Sequence, residues 1–288
     1  MEEELEIESK IKNYISWSEF AQFKSCEHKY YISYKLDYRM PTNLTMWSGN
    51  VIHSVMEEIC HKGTDYNYEE EFEKSWILNL EKLTEAQIID FTQHKDRLRD
   101  KFRLIVSNLA FNERFKDYKV LHTELKILHK LAEIDGEDFF FKGYVDLILH
   151  DEITDEVLIV DWKTSGKLWD LRKKLADKMF VGQILVYRYF VSIATGIPIE
   201  KIKCRYVALC DNGTIQELPI FPDMKITQEY LDEMIAAVTD IKNLNPKKLK
   251  KQRFGPSRIL CDWCNFNNTT LCNALKNQTP DKPKETIR

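Results

Sequence analysis

Two acids and a lysine stand inside apolar segments that read as strands of a β-sheet core. Asp146 lies in "GYVDLILH", and Asp161 and Lys163 lie in "VLIVDWKTS". Because alternate residues of a strand share a face, Asp161 and Lys163 point the same way. Burying an unpaired carboxylate is costly, and a counter-ion or a metal ion removes that cost. The pattern therefore predicts a charged site built into the sheet.

Two interpretations of these residues differ in chemistry. An isolated D-x-K is most often a simple Asp–Lys ion pair at the end of a strand. A second carboxylate, Asp146, on the preceding strand makes the group oxygen-rich, which suits Mg²⁺ or Mn²⁺. A metal held there can bind a phosphate and lower the pKa of a bound water, while the lysine steadies the developing charge. This chemistry is phosphodiester hydrolysis.

The two segments resemble the G-x-x-D and D-x-K motifs of the PD-(D/E)XK nuclease superfamily, in its RecB, AddB and CRISPR-associated branch. The resemblance implies that Asp146 bridges the metal, that Asp161 is the second acid, and that Lys163 acts at the attacking water. It also implies a restriction-endonuclease-like core and a DNA substrate cleaved with Mg²⁺ or Mn²⁺, by an exonuclease acting in DNA processing, recombination or repair.

Other segments extend the resemblance along the chain. The glycine and histidine of the upstream helical motif correspond to Gly49 and His53 in "SGNVIH", where the histidine is a metal ligand, and the Trp162 backbone carbonyl is expected to join it. The downstream Q-x-x-x-Y motif corresponds to Gln183 and Tyr187. The accessory acid on the strand before these motifs corresponds to Glu124. Each residue alone is commonplace, and it is their shared order that makes the match specific.

Four of the seven cysteines form a second candidate site. Cys261 and Cys264 make a C-x-x-C pair with Cys272 close behind, a pattern that suits zinc or an iron–sulfur cluster, with loose reduced thiols as the alternative. In the nuclease branch that this chain resembles, a cysteine near the N-terminus completes such a cluster, and Cys26 stands in its place. The resemblance favours iron–sulfur, of the four-iron type, over zinc. Its expected role is to staple the N-terminal helix to the C-terminal segment.

Charge gives a weaker indication of the partner. The net charge is −4, yet residues 242–258 carry seven Lys or Arg and no acid. A local basic stretch can contact phosphates in an acidic protein, although such runs are often merely solvated. The expected backbone contacts are Lys247, Lys248, Lys250, Lys251 and Arg253. No G-x-x-x-x-G-K-[ST] motif occurs, so a helicase or recombination partner would be a separate protein.

The elements that must position these residues follow from periodicity. Helices are predicted from about residue 15 to 36, from after Gly49 to near Gly63, as one or two long helices over 69–115, over 168–195, and at about 227–243. Strands are predicted in "KVLHTELKILHKLA", "EDFFFKGYVDLILH", "EVLIVDWKTS", "KIKCRYVALC" and "TIQELPIF". The order favours an α/β fold with a small central mixed sheet flanked by helices and a helical cap stapled by the C-terminal cysteines.

We expect one nuclease domain over 1–288: a mainly helical part at 1–115, the α/β catalytic core at 116–225, the C-terminal helix with the basic segment and cysteines at 226–275, and a polar tail at 276–288. The acidic N-terminus and the lack of a long apolar run indicate a cytoplasmic protein with no membrane partner. Two alternatives stay open: a non-catalytic DNA-binding or recombination subunit on a nuclease-like scaffold, and a zinc-dependent interaction module that would leave the sheet acids unexplained.

Overall fold

A computed structural model describes residues 13–38, 42–62, 67–81, 83–249, 261, 264, 266–267, 269–270 and 272. Within this part of the chain no helix has the length and hydropathy needed to cross a membrane. The contacts divide the chain into two compact units. One unit comprises residues 1–41, 130–141 and 231–288, and the other comprises 42–129 and 142–230.

The α-helices are α1 (Trp17–Ser25), α2 (Glu27–Tyr30), α3 (Leu44–Lys62), α4 (Tyr68–Leu80), α5 (Glu85–Thr92), α6 (Lys95–Leu109), α7 (Phe111–Arg114), α8 (Leu171–Ala176), α9 (Lys178–Thr195) and α10 (Met224–Lys242). A π-helical turn, Tyr31–Lys35, follows α2, and 3₁₀ turns occur at Ile199–Lys201 and Pro246–Lys248.

The strands are β1 (Tyr14–Ser16), β2 (Tyr118–Ile134), β3 (Glu137–Asp151), β4 (Glu156–Ser165), β5 (Ile202–Cys210) and β6 (Ile215–Ile220). Strand β3 pairs antiparallel with β4, β4 pairs parallel with β5, and β5 pairs antiparallel with β6. Strand β2 also pairs with β3, and β1 pairs with the first part of β3. The sheet is therefore mixed, as the sequence predicts, and β4 and β5 form a parallel pair within it.

The larger unit buries each face of its sheet under helices. Trp162, Val160 and Leu158 of β4 pack with Trp47 and Val55 of α3 in one apolar cluster. On the opposite face of β5, the Tyr206 hydroxyl donates to the Phe180 carbonyl at 2.7 Å, and the Cys204 thiol lies 3.8 Å from the Ile184 carbonyl. Helices α3 and α9 thus cover opposite faces, so β4 and β5 read as the near-continuous apolar runs of a doubly covered parallel pair.

The smaller unit contains β1, α1, α2 and the β2–β3 turn. The Ser16 hydroxyl caps α1 by accepting from the Glu19 N–H at 3.1 Å, as its place before the apolar run predicts. The β2–β3 turn has Asp135 and Gly136 at φ +53° and +78°, the two left-handed positions of a tight hairpin. A local apolar cluster joins Ile32 to the C-terminal residues Leu249, Phe266 and Cys272.

Four predicted helices differ from the observed ones, the last of them the stretch 168–195, which is divided at Asp177 into α8 and α9. The helix expected at 15–36 breaks at Cys26, which is extended, because the Ser25 hydroxyl donates to the Gln22 carbonyl and competes with continued helix. Helix α3 begins at Leu44 and not after Gly49, since Asn43 Oδ1 accepts the Met46 N–H at its start.

The third difference lies in the region predicted as one or two long helices. Residues 69–115 form most of four helices, α4 to α7, and the second begins at a capping box made by Thr84 and Gln87. By contrast, the predicted stop at Gly196 is confirmed, with φ +71° after α9. Side-chain caps therefore set helix ends at places where the spacing of apolar residues predicts none.

Arg188 is the buried charge that ties α9 to the segment before β5. It is 4% exposed, and its guanidinium donates to the Ile202 carbonyl at 2.8 Å and the Ile199 carbonyl at 2.5 Å. Arg188→Met removes both donors and leaves the buried carbonyls unsatisfied, so we expect the free energy of unfolding to fall by about 2–3 kcal/mol.

Urea denaturation measures this loss, with Arg172→Met, at an exposed position on α8, as the control. An Arg188→Met protein as stable as the Arg172→Met protein would show that the guanidinium does not hold the two segments together.

Candidate active site

The predicted catalytic acids meet where two strands stop pairing through their backbones. The described β3–β4 register runs from Asp151↔Glu156 to Leu147↔Val160. Just beyond this pair, the Trp162 N–H donates to Asp146 Oδ2 at 2.7 Å, so a side chain takes the place of a backbone acceptor. Asp146 is thereby fixed beside the segment that carries Asp161.

Asp161 and Lys163, which the sequence places on one strand face, form an ion pair. Their Oδ1 and Nζ atoms lie 2.5 Å apart, and the Asp161 side chain is almost fully buried. For Lys163, burial lowers the pKa, but the charges of Asp161 and Asp146 outweigh it and hold the pKa above its usual value. Lys163 is therefore a cation at neutral pH.

His53 brings α3 into the same group. Its Nδ1 lies 3.7 Å from Asp146 Oδ2, and its ring forms a hydrogen bond with the Trp162 backbone. Burial lowers the pKa of His53, and Asp161 raises it less than burial lowers it. The imidazole is thus kept neutral, which is the state that can ligate a metal.

Glu124 completes a cluster of possible metal ligands. One ligand atom each from His53, Glu124 and Asp146 lies within 4.8 Å of the other two. Glu124 sits in β2 with φ +46°, a left-handed conformation that is uncommon for a non-glycine residue in a strand. Burial raises the pKa of Glu124, and the charges of Glu57 and Asp161 raise it further.

The donor set suits a hard divalent cation. Burial raises the pKa of Asp146 well above its usual value, and repulsion from Asp161 adds to the effect. Several carboxylates share this space with one lysine, so negative charge is under-compensated. A divalent cation would supply the missing positive charge, and carboxylate, carbonyl and imidazole groups are ligands that Mg²⁺ or Mn²⁺ accepts.

Gln183 and Tyr187 line the same site from α9. Gln183 Nε2 donates to the Tyr187 hydroxyl at 3.4 Å. Burial raises the pKa of Tyr187 to about 12, and the Asp161 charge contributes to this shift. The phenol therefore stays protonated and can donate a hydrogen bond.

Two residues of the site, Tyr206 and Glu57, belong to none of the sequence motifs. Tyr206 of β5 pairs with Asp161 in the parallel register, and its ring centroid lies 5.6 Å from Lys163 Nζ. Glu57 follows His53 by one helical turn, and its charge reaches Glu124. Glu57 could have been found from its i, i+4 spacing on a helix, whereas Tyr206 depends on a strand register that the sequence does not give.

The four candidate cluster cysteines all lie in the smaller unit. Burial raises the pKa of the Cys26 thiol, and the charges of Cys264 and Cys272 raise it further. The structure thus brings the N-terminal cysteine near two C-terminal ones. Among the described residues no three of these thiols lie within 4.8 Å of one another.

Only two of the five predicted DNA-contacting residues lie in the described part of the chain. Lys247 and Lys248 are exposed in the 3₁₀ turn after α10. Lys250, Lys251 and Arg253 lie outside the described residues.

Known proteins of similar sequence identify the family of this chain. The PD-(D/E)XK nuclease superfamily matches residues 14–272, most of the chain. The chain belongs to the PD-(D/E)XK nuclease superfamily. The solved structure of a candidate exonuclease from Eubacterium rectale superposes with a TM-score of 0.52 at 17% identity, covering 94% of this chain and 91% of that one. At that identity the likeness shows the fold alone.

A second relative carries the same domain within a much longer protein. One of the subunits of an ATP-dependent helicase/deoxyribonuclease from Lactococcus lactis subsp. cremoris (strain SK11) is 26% identical over 175 residues. The match covers 56% of this chain and 16% of that protein. The superfamily assignment and this helicase/deoxyribonuclease likeness agree with the RecB- and AddB-like branch that the motifs resemble.

Gly49 explains how α3 comes close enough to place His53. A Cβ built on Gly49 would lie 3.3 Å from the Oγ1 atom of Thr164. Thr164 follows Lys163 in β4. Gly49→Ala demands a shift of only a few tenths of an ångström, while the branched side chain of Gly49→Val pushes the helix from β4. We expect Gly49→Val to weaken Mn²⁺ binding by roughly tenfold, as loss of an orienting contact does at metal sites, and Gly49→Ala to change it little.

Calorimetric titration with Mn²⁺ measures this difference. Asn50→Val, on the exposed side of the same helix, is the matched control for valine in a helix. Equal Mn²⁺ affinity in Gly49→Val and Asn50→Val would show that the close approach at Gly49 does not position His53.

Proposed function

We propose that this chain is a Mg²⁺- or Mn²⁺-dependent deoxyribonuclease that hydrolyses phosphodiester bonds, acting as an exonuclease in DNA processing, recombination or repair. The observation that carries the proposal is the convergence of His53, Glu124 and Asp146 beside the Asp161–Lys163 pair. Superfamily membership supports the nuclease chemistry. The exonuclease assignment is supported by the order of motifs in this chain, which resembles that of the RecB- and AddB-like branch.

Each residue of the site has a role that follows from its charge state. Asp146, Asp161, His53 and the Trp162 carbonyl would hold the cation, with Glu124 as an accessory ligand. A bound divalent cation supplies Lewis acidity toward the scissile phosphate and a bound water of lowered pKa. Because its pKa is raised, Lys163 is a poor base. It would donate a hydrogen bond to the attacking water or to a phosphate oxygen whose negative charge grows.

Residues around the centre would orient the strand. Gln183 and Tyr187 offer an amide and a protonated phenol toward Lys163, so both can donate to substrate oxygens. Lys247, Lys248, Lys250, Lys251 and Arg253 would contact the DNA backbone without regard to sequence. The Lactococcus relative, named as part of a helicase/deoxyribonuclease, supports a separate helicase or recombination protein as partner.

The proposal is tested by digesting end-labelled single- and double-stranded DNA with protein purified anaerobically. We expect cleavage with Mg²⁺ or Mn²⁺, none with EDTA, and release of mononucleotides or short products from an end. Asp161→Asn should slow cleavage by roughly 10²-fold or more, since it removes both a metal ligand and the partner of Lys163.

Two further variants separate chemistry from folding. Asp161→Asn leaves Lys163 buried without its partner, so the double variant Asp161→Asn/Lys163→Met removes both charges and keeps more of the stability. Asp155→Asn, at the exposed turn between β3 and β4, is the matched control. Full cleavage by the double variant would reject the site. DNA binding with no cleavage by the wild-type protein would instead favour the non-catalytic DNA-binding role.

We further propose that Cys26, Cys261, Cys264 and Cys272 bind an iron–sulfur cluster of the four-iron type. The interaction of Cys26 with Cys264 and Cys272 supports a shared ligand set, and the order of the four cysteines resembles that of the iron–sulfur nucleases in the same branch. Joining residues from both ends of the chain, the cluster would act mainly on stability.

Cys264→Ser should therefore remove the visible absorbance of anaerobic protein, its iron and its labile sulfide, and lower the melting temperature. Cys204→Ala, at a buried cysteine in the larger unit, should keep the absorbance. Wild-type protein that carries zinc and neither iron nor sulfide would reject the cluster while keeping the metal staple.

A further inference from the structure

The backbone of β2 is left-handed at one residue of the candidate active site. Within the part of the chain that the structure describes, five non-glycine residues have a positive φ, and only Glu124, at +46°, lies inside a strand. Side chains that alternate between the faces of a strand cannot do so through such a residue. Thr123, Glu124 and Leu125 are accordingly all half-buried, between exposed His122 and Lys126. A conformation of this kind persists only where neighbouring groups hold it.

A side chain of α3 contacts the residue next to Glu124. His61 Nε2 and Thr123 Oγ1 lie 2.6 Å apart, a hydrogen bond that either neutral tautomer of the ring can make. His61 is in the last turn of α3, and all of these residues belong to the larger unit. The bond therefore ties the helix that carries His53 to the strand that carries Glu124.

One face of α3 carries both a candidate metal ligand and this contact. His53, Glu57 and His61 follow one another at intervals of four residues, so their side chains lie in one row. The first and the last of them are about 12 Å apart along the helix axis. At one end of the row, His53 contacts Asp146 of β3 and the Trp162 backbone of β4. At the other end, His61 contacts β2. The helix is thus held against the strands at two separate points.

Charge repulsion acts between these two points. Burial raises the pKa of Glu124, and the charges of Glu57 and Asp161 raise it further. Because Glu57 belongs to the same row of α3, its carboxylate repels Glu124 from the helix. A bound divalent cation would offset this repulsion, and a site that is assembled beforehand binds the cation more tightly. The His61–Thr123 bond opposes the separation of α3 from β2 at the residue next to Glu124.

We propose that His61 is a positioning residue whose hydrogen bond with Thr123 holds β2 in the conformation that presents Glu124 to the metal. This inference rests on the proposed nuclease function and adds to it a contact outside the metal ligands. Loss of the bond should leave His53 and Asp146 in place and lower the fraction of molecules in which Glu124 reaches the cation. The expected result is weaker cation binding by a protein that is otherwise folded.

Calorimetric titration with Mn²⁺ measures this loss. Thr123→Val removes the hydroxyl and keeps a β-branched side chain that suits a strand. We expect it to weaken Mn²⁺ binding by roughly threefold to tenfold, the equivalent of one hydrogen bond. Thr123→Ser keeps the hydroxyl and should bind Mn²⁺ like wild type. His61→Ala should match Thr123→Val, whereas His61→Gln, whose amide can reach the same hydroxyl, should recover most of the affinity.

A double-mutant cycle shows whether the effect passes through Glu124. In a Glu124→Gln background the charge of the ligand is gone, so His61→Ala should change the Mn²⁺ affinity by less than about twofold. His122→Ala, which removes an exposed histidine from β2, is the matched control in both backgrounds. A general loss of structure would instead weaken binding by the same factor with and without the Glu124 carboxylate.

A metal-free measurement tests the backbone itself. Amide hydrogen exchange in EDTA reports how often residues 120–128 open. His61→Ala and Thr123→Val should speed exchange in this segment severalfold and leave exchange in β5 unchanged. Neither His122→Ala nor Thr123→Ser should change exchange in either segment.

The outcomes separate this inference from the nuclease proposal. If His61→Ala binds Mn²⁺ as tightly as His122→Ala, or loses the same factor of affinity in the Glu124→Gln background, the positioning role is overturned and the nuclease proposal is unaffected. If wild type neither binds Mn²⁺ nor cleaves DNA, the nuclease proposal fails and hydrogen exchange alone decides. Faster exchange of 120–128 in His61→Ala than in His122→Ala then supports the role of His61 in holding β2, and equal exchange overturns it.

Discussion

The hydrogen bond from the Trp162 N–H to the Asp146 carboxylate joins β3 to β4 through a side chain, just beyond the last described backbone pair. Strand β4 continues along β5 to Ser165↔Cys210. The position of Asp146 is therefore set by a backbone donor of the very segment that carries Asp161 and Lys163. The pairing of the strands thus holds the two acids side by side. The helices add His53, from α3, and Gln183 and Tyr187, from α9, to this group.

This arrangement has an electrostatic cost in the metal-free protein. The pKa of Asp146 is raised in the folded chain, first by burial and then by Asp161. An acid whose folded pKa exceeds its unfolded value reduces stability as the pH rises from the ordinary value of 3.8 through the folded pKa, because the folded state binds more protons in that interval. The cost is complete once the pH exceeds the folded pKa of Asp146. A bound cation offsets it, so the same charges that destabilise the fold create the affinity for the ligand.

The sequence predicted the sheet and its charged residues because both follow from local patterns. Apolar runs of strand length defined β3, β4 and β5, and D-x-K alternation placed Asp161 and Lys163 on one face. Helix boundaries were less predictable: Asn43, Ser25 and Thr84 set them through single side-chain hydrogen bonds that periodicity does not register. Tyr206 and the contact between His61 and Thr123 depend on register and on packing between distant segments. Neither leaves a pattern in the chain.

We therefore expect the Asp146 carboxylate to destabilise the metal-free fold and a bound divalent cation to remove that destabilisation. The most direct test is the melting temperature of wild type and Asp146→Asn, each with EDTA and with millimolar Mn²⁺. We expect that wild type gains stability with Mn²⁺, that Asp146→Asn in EDTA is at least as stable as wild type, and that it gains little from Mn²⁺. An Asp146→Asn protein that melts well below wild type in EDTA and still responds fully to Mn²⁺ would contradict this expectation.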